Sequence, residues 1–250
     1  MYNWLIGNMG TPGEYMYQPI HLLSTAVVLA VLVAVMLLGA SKNLGEKRKM
    51  GLLHAICWFQ LGFEVLWRLV YLLIKGDAIS CWWPLFPCNL NGILIPIVAL
   101  TDWKTGKKMF YLFGFIGGVL TFALPEGIFV REVLNFPILK SVLQHTGLLL
   151  IPGLELTMGH WRPGLRQLPW VIAGGVVHLI NSEGITRLLG FTGDYMFFRS
   201  GLPFVIPGVP QYITLSVFAF VVMAAISLVG DLPDILADRQ KTSEQPPAVT

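Results

Sequence analysis

Seven apolar stretches separated by short polar connections run through this chain, at about residues 21–40, 52–74, 84–102, 109–125, 138–158, 168–186 and 210–230. About 20 such residues wound as a helix cross the ~30 Å hydrocarbon core of a bilayer. A helix also satisfies its own backbone hydrogen bonds there, where no water can. The expected fold class is therefore all-α, a polytopic membrane helix bundle with seven transmembrane helices. With 55% hydrophobic and only 12% charged residues in 250, a soluble domain with an ordinary polar surface is excluded.

The basic residues orient the bundle. Connections after the first, third and fifth stretches hold Lys42, Lys47, Arg48, Lys49, Lys104, Lys107, Lys108, Arg162 and Arg166, and Arg239 and Lys241 follow the seventh. The opposite side carries Lys75, Arg131, Arg187 and Arg199, with Lys140 just inside the fifth stretch. By the positive-inside rule the N-terminus is outside and the C-terminus cytoplasmic, in the cell membrane. The first stretch has no basic residue before it and a basic cluster straight after it, the reverse of a secretory signal peptide. The net charge of +3 thus reflects topology and gives no support for nucleic-acid binding. Residues 1–236 read as one helical bundle, and residues 237–250, from Ala237 through Glu244-Gln245-Pro246-Pro247, read as a disordered cytoplasmic tail.

Small residues mark close helix contacts. Gly114 and Gly118 have small-xxx-small spacing, and Gly174 with Gly175 flatten the sixth stretch. Pro96 and Pro152 lie inside the third and fifth, where each removes a backbone hydrogen bond. The long outer connection, about residues 187–209, mixes glycine and proline with Tyr195, Met196, Phe197 and Phe198, a composition that suits a loop dipping into the outer leaflet.

Polar side chains within the stretches gather in the outer half. Gln60, Glu64, Arg68 and Tyr71 recur every three or four residues as one polar stripe, and Glu64 and Arg68, a turn apart, can pair. Asn89, Asn91, His178 and Asn181 lie at comparable depth. An ionisable residue in a span costs at least ~2.5 kcal/mol, so each is a candidate for function, set against neutralisation or an interhelical hydrogen bond. Cys88 follows Pro87, a natural first residue of a helix, so its thiol falls in an opening turn whose free N–H groups favour the thiolate. His145 sits at similar depth and is the candidate base. A disulfide between Cys81 and Cys88 is the competing use of the thiol, while Cys57 reads as a packing residue. His21, His54, His145, His160 and His178 are scattered without metal-ligand spacing, and no phosphate loop is present, so neither metal nor cofactor is expected.

The run Leu85-Phe86-Pro87-Cys88-Asn89-Leu90 resembles the Leu-Pro-Leu-His-Leu-Cys region of bacterial YwaF-type integral membrane proteins. It is closer to the Asn-Pro-Cys-His region of their eukaryotic relatives, transmembrane acyltransferases that build ether phospholipids. Gln144-His145, followed by an apolar run and Pro152, is similar to the Gln-His region of those relatives, and Gly193-Asp194-Tyr195-Met196-Phe197 to a Gly-Asn-Tyr-Met segment of the bacterial members, with Asp194 in place of the asparagine. The resemblance covers roughly residues 18–230 and implies acyl transfer by Cys88 and His145. Phe86 and Asn89 stand where relatives often place histidine beside the cysteine.

The expected function is a membrane-embedded acyltransferase that moves a fatty acyl chain between phospholipids through a Cys-His dyad and a thioester intermediate. With water as acceptor the same site is a lipase. Catalytic candidates are Cys88 and His145; substrate-binding candidates are Asn89, Asn91, Glu64, Arg68, His178, Asn181 and Tyr195. Membrane lipids are the expected partners, with oligomeric state left open. The alternative is a transporter or lipid-binding protein, in which Glu64, Arg68, His178 and Asn181 line a polar path without covalent chemistry.

Overall fold

The computed structural model describes residues 2–5, 14–75, 79, 82–125, 128–196, 198, 206 and 208–244. Among these there is no strand, and seven helices have twelve residues or more. They are α1 (Pro19–Ala40), α2 (Glu46–Lys75), α3 (Pro87–Leu100), α4 (Lys104–Ala123), α5 (Phe136–Met158), α6 (Leu168–Leu179) and α7 (Gln211–Glu244). By length and composition α1, α2 as far as Ile74 and α7 as far as Leu236 can cross a membrane, and α3 is a shorter apolar helix.

The polar stripe of α2 faces inward. Leu53, Cys57, Gln60, Glu64, Arg68 and Tyr71 are buried, while Trp58, Phe59, Leu66, Leu69 and Leu73 are exposed. A helix in water turns its polar face outward; the reverse arrangement suits a helix surrounded by hydrocarbon. In the same way α1 buries only His21, Val28, Val35 and Gly39 and leaves Leu22, Leu23, Val27, Val33 and Leu37 on the outside. His21 accepts the Tyr17 N–H at 2.9 Å on Nδ1, which leaves Nε2 to donate to Phe122 O at 2.9 Å and pin α1 to the end of α4.

Helix α5 is the hub, packed against α1, α2, α3 and α4, and buried without interruption from Gly147 to Glu155. It begins where the Asn135 side chain accepts the Ile138 N–H at 3.0 Å, with Pro137 in its first turn, and ends at Gly159 with φ +78°. The expected small-residue contacts are present. A Cβ on Gly114 would lie 2.1 Å from Ile95 Cδ1, and one on Gly174 would lie 2.2 Å from the Met109 carbonyl oxygen. These positions let α4 approach α3 and α6 closely.

Two ends differ from the sequence reading. Only Pro87–Leu100 of the third apolar run is helical, because Pro84 and Pro87 exclude a helix before that point. Backbone helix α7 continues past Ala237 to Glu244, across most of the segment read as a disordered tail, and residues 245–250 lie outside the described ones. Helix α6 passes through a π turn, Ile180–Ile185, into a final turn, Thr186–Leu188.

At the end of the bundle bearing the α3–α4 turn, α4 and α5 are joined by charge. Lys107 Nζ lies 2.6 Å from Glu155 Oε2, and Tyr111 OH donates to Glu155 Oε1 at 3.1 Å. Lys107, Tyr111 and Glu155 are all buried. Removing one member of such a pair leaves the other as an unmatched buried charge. Lys107→Met should therefore lower unfolding stability in detergent by about 3–5 kcal/mol, and the double variant Lys107→Met/Glu155→Leu should recover most of it. Denaturant titration of the three proteins checks this.

Candidate active site

The inward stripe of α2 meets α3 and α5 in a buried polar cluster. Its centre is Asn89, in the first turn of α3, whose Oδ1 accepts from Lys140 Nζ at 3.1 Å and from Gln144 Nε2 at 3.2 Å. The Cys88 thiol points to the same oxygen with Sγ at 3.9 Å, and its sulfur lies against the backbone N–H groups of Cys88 and Asn89. Lys140 also donates to Gln144 Oε1, one turn along α5, and its ammonium stands 5.0 Å from the centre of the Trp67 ring. On α2, Arg68 pairs with Glu64 Oε2 and donates to Glu64 O at 2.8 Å and Trp82 O at 3.4 Å. Glu64 Oε1 has no hydrogen-bond partner among the described residues.

Gly92 makes this convergence possible. A Cβ there would stand 3.0 Å from Glu64 Oε1 and 3.2 Å from Gln144 Cγ, so the missing side chain is the space in which α2 and α5 meet across α3. Residues 89 and 92 of α3 face 140–144 of α5, and Ile95 and Leu148 both border Gly114 of α4. The numbers rise together, so α3 and α5 run in the same direction, and Cys88 falls level with Lys140 and Ser141. His145 is buried, with Nδ1 at 2.7 Å from the Ser141 carbonyl oxygen one turn back on its own helix.

Cys88 is a free thiol, and Cys81 lies outside the described residues. Glu64, Arg68, Cys88 and Asn89 thus come together as one cluster. Asn91 is buried on the same helix as Asn89, and its Oδ1 has no partner among the described residues. The remaining sequence candidates stand apart. His178 is buried between the rings of Phe110 and Phe113, and neither ring nitrogen has a partner among the described residues. Asn181 donates to Pro84 O at 2.6 Å, beside Ser182 to Leu85 O at 3.0 Å and Trp83 Nε1 to Thr186 Oγ1 at 3.2 Å. These bonds satisfy the extended backbone before α3 and hold it in place. Tyr195 packs edge-on against Phe86, with ring centres 5.1 Å apart, and steadies the same segment.

Lys140 and Gln144 are the members that sequence reasoning did not assign to the site. The signal was available, since a lysine inside an apolar span needs partners. On the side of the bundle that carries α1, helices α1, α2 and α5 border an open groove of about 510 Å³. Leu23, Val27, Val31, Phe59, Leu139 and Leu150 make its wall apolar, and Gln60 is the buried polar group on it.

The model of the TMEM164 family, a family of transmembrane proteins, matches residues 16–228. The chain belongs to the TMEM164 family. The match takes in α1 through α6 and α7 as far as Leu228, and with it every member of the polar cluster. No curated protein and no solved structure matches this TMEM164-family chain.

Asn89→Leu should lower stability in detergent by about 2–3 kcal/mol, because it strands the buried Lys140 and Gln144 donors. Asn89→Asp should fold like the wild type by giving Lys140 a carboxylate. Thermal unfolding of both variants tests the assignment of Asn89 as the hub.

Proposed function

We propose that this membrane protein is an acyltransferase that moves a fatty acyl chain between phospholipids through a thioester on Cys88. The observation carrying this reading is the Cys88 thiol in the opening turn of α3, turned onto backbone N–H groups and set in a buried cluster of polar groups. Donors so placed can hold an oxyanion. The apolar groove between α1, α2 and α5 has a volume common among small-molecule ligand sites, and its apolar wall suits an acyl chain. The resemblance of Pro87-Cys88-Asn89 and Gln144-His145 to the ether-phospholipid acyltransferases points the same way.

In this reading Cys88 Sγ attacks the ester carbonyl of a donor phospholipid. The oxyanion is held by the backbone N–H groups of the first turn and the Asn89 amide. The C–O bond breaks, and the departing lysolipid oxygen takes the proton that the Cys88 thiol gave up, relayed by His145. An acceptor hydroxyl then gives its proton to His145 and attacks the thioester, and the C–S bond breaks to restore Cys88. Arg68, bound to Glu64 and Trp82 O, serves to hold the α2 wall of the site rather than to meet a lipid phosphate.

All seven helices cross the membrane in this proposal, with the N-terminus outside, the C-terminus cytoplasmic and the plasma membrane as its location. The basic-residue asymmetry of the connections is the support. Cys88 then lies in the outer leaflet, out of reach of cytoplasmic acyl-CoA, and takes its acyl chain from lipid. The transport reading is less favoured because His178 stands between aromatic rings, separated from the Glu64–Arg68 pair.

Purified protein incubated with a labelled phospholipid and a lysolipid should transfer label to the lysolipid. Cys88→Ser and His145→Ala should each reduce the rate by about 10³-fold or more at normal folding. Unaltered transfer in either variant removes the dyad, and an inactive wild type removes acyl transfer. Thr146→Trp, which fills the groove, should slow transfer of long chains about tenfold more than short ones. Equal slowing of both would remove the groove from the acyl site.

A further inference from the structure

We propose that Lys140 is the charge partner of Cys88, so that the resting site holds a thiolate facing an ammonium. The inference gives the acyl-transfer reading its nucleophile, and it rests on that reading only for its purpose.

Charge balance is the first argument. The charged groups around Cys88 are Glu64 from α2, which is bound to Arg68, and Lys140 from α5; His145, also on α5, turns Nδ1 to the Ser141 carbonyl oxygen, and the Tyr195 ring from the α6–α7 connection lies against Phe86. Glu64 and Arg68 neutralise each other. Lys140 is 7% exposed, and among the described residues no carboxylate pairs with it. A buried cation without an anion is costly at membrane depth. Cys88 is the member of the cluster that can supply the missing negative charge.

Geometry is the second. Sγ of Cys88 and Nζ of Lys140 meet at one oxygen, Asn89 Oδ1, at 3.9 and 3.1 Å. The sulfur also faces backbone N–H groups in the first turn of a fourteen-residue helix, where negative charge is stabilised. The ammonium is held over the Trp67 ring, a face that attracts cations. His145 is engaged elsewhere, with Nδ1 on the Ser141 carbonyl.

The step balances without a co-reactant. The S–H bond breaks, its proton passes to the lone pair of the neutral Lys140 amine, and an N–H bond forms; thiolate and ammonium result. When the thioester forms, the sulfur's charge leaves with the departing lysolipid oxygen, which takes the extra proton of Lys140 by way of His145 and leaves a neutral amine. When the acceptor hydroxyl takes the acyl chain, its proton returns by way of His145 to Lys140, the C–S bond breaks, and the thiolate again faces an ammonium. Lys140 therefore readies the sulfur, and His145 remains for the proton traffic of the leaving and attacking oxygens.

The test uses the full chain with Cys57 and Cys81 replaced by serine, so that Cys88 is the remaining thiol. Its modification by a small neutral methanethiosulfonate is followed as a function of pH. Lys140→Gln should move the midpoint up by about one unit or more and slow modification near neutral pH about tenfold. Lys140→Arg should keep the low midpoint by keeping the charge, and His145→Ala should leave it unchanged. A midpoint indifferent to Lys140→Gln, or moved as far by His145→Ala, overturns the proposal. The S–H stretching band of Cys88 should be missing near neutral pH in the parent protein; its presence overturns the proposal even where Lys140→Gln does not fold. The two readings separate cleanly. An inactive protein whose thiol still depends on Lys140 loses acyl transfer but keeps the charge pair, and an active one whose thiol ignores Lys140 loses only the pair.

Discussion

A polar side chain on a helix clothed in hydrocarbon has no water to turn to, and the arrangement of this bundle follows from that. Gln60, Glu64, Arg68 and Tyr71 would lie on the wet face of a soluble helix; here they form the buried face of α2. Burial obliges them to find partners on neighbouring helices. Glu64 and Arg68 answer each other within one turn, and Gln144 and Lys140 on α5 answer Asn89 on α3. The same rule binds α4 to α5 at the other end of the bundle, through Lys107, Tyr111 and Glu155. Apolar packing has no comparable specificity between helices in lipid, whose chains are as oily as leucine. The polar contacts therefore set which helices adjoin and in what register.

The site depends on how α3 begins. Two prolines three residues apart, Pro84 and Pro87, prevent the third apolar run from being one long helix, and the extended backbone between them exposes carbonyl groups. Asn181 and Ser182, on the π turn after α6, donate to the carbonyls of Pro84 and Leu85. A π turn adds a residue to the helical circuit and re-aims the side chains beyond it. Here it brings those two side chains to the segment that needs them. The first turn of α3, with Cys88 and Asn89, is then held from both sides, by α6 before it and by α5 across it.

Lys140 gives the cluster its chemical character. An ion pair at membrane depth can be wholly structural, and Glu64–Arg68 serves as a wall. Lys140 is different, since its partners are two neutral amides and the face of an indole. In the proposed pairing, an ammonium so placed lowers the energy of any anion that forms beside it. A thiol that becomes a thiolate and an ester carbonyl that becomes an oxyanion both gain from that field. The proposed chemistry and the charge count thus meet at the same few atoms.

Much of this was legible in the residues themselves. The apolar runs, the pairing spacing of Glu64 and Arg68, the small-residue contacts at Gly114 and Gly174, and a helix start at Pro87 each depend on neighbours within a few positions, and each has its counterpart in the fold. His178 was not legible: its depth in the sequence matches that of the cluster, yet its helix turns it between Phe110 and Phe113. Lys140 and Gln144 read as a boundary lysine and a flank of the histidine, because their partner Asn89 is about fifty residues away along the chain. Local periodicity and the cost of burying charge were enough to determine an all-helical chain with inward polar faces. Which polar groups share an oxygen was decided only by tertiary structure, because it depends on the rotation and register of α2, α3 and α5 against one another, and no spacing within a single helix encodes those.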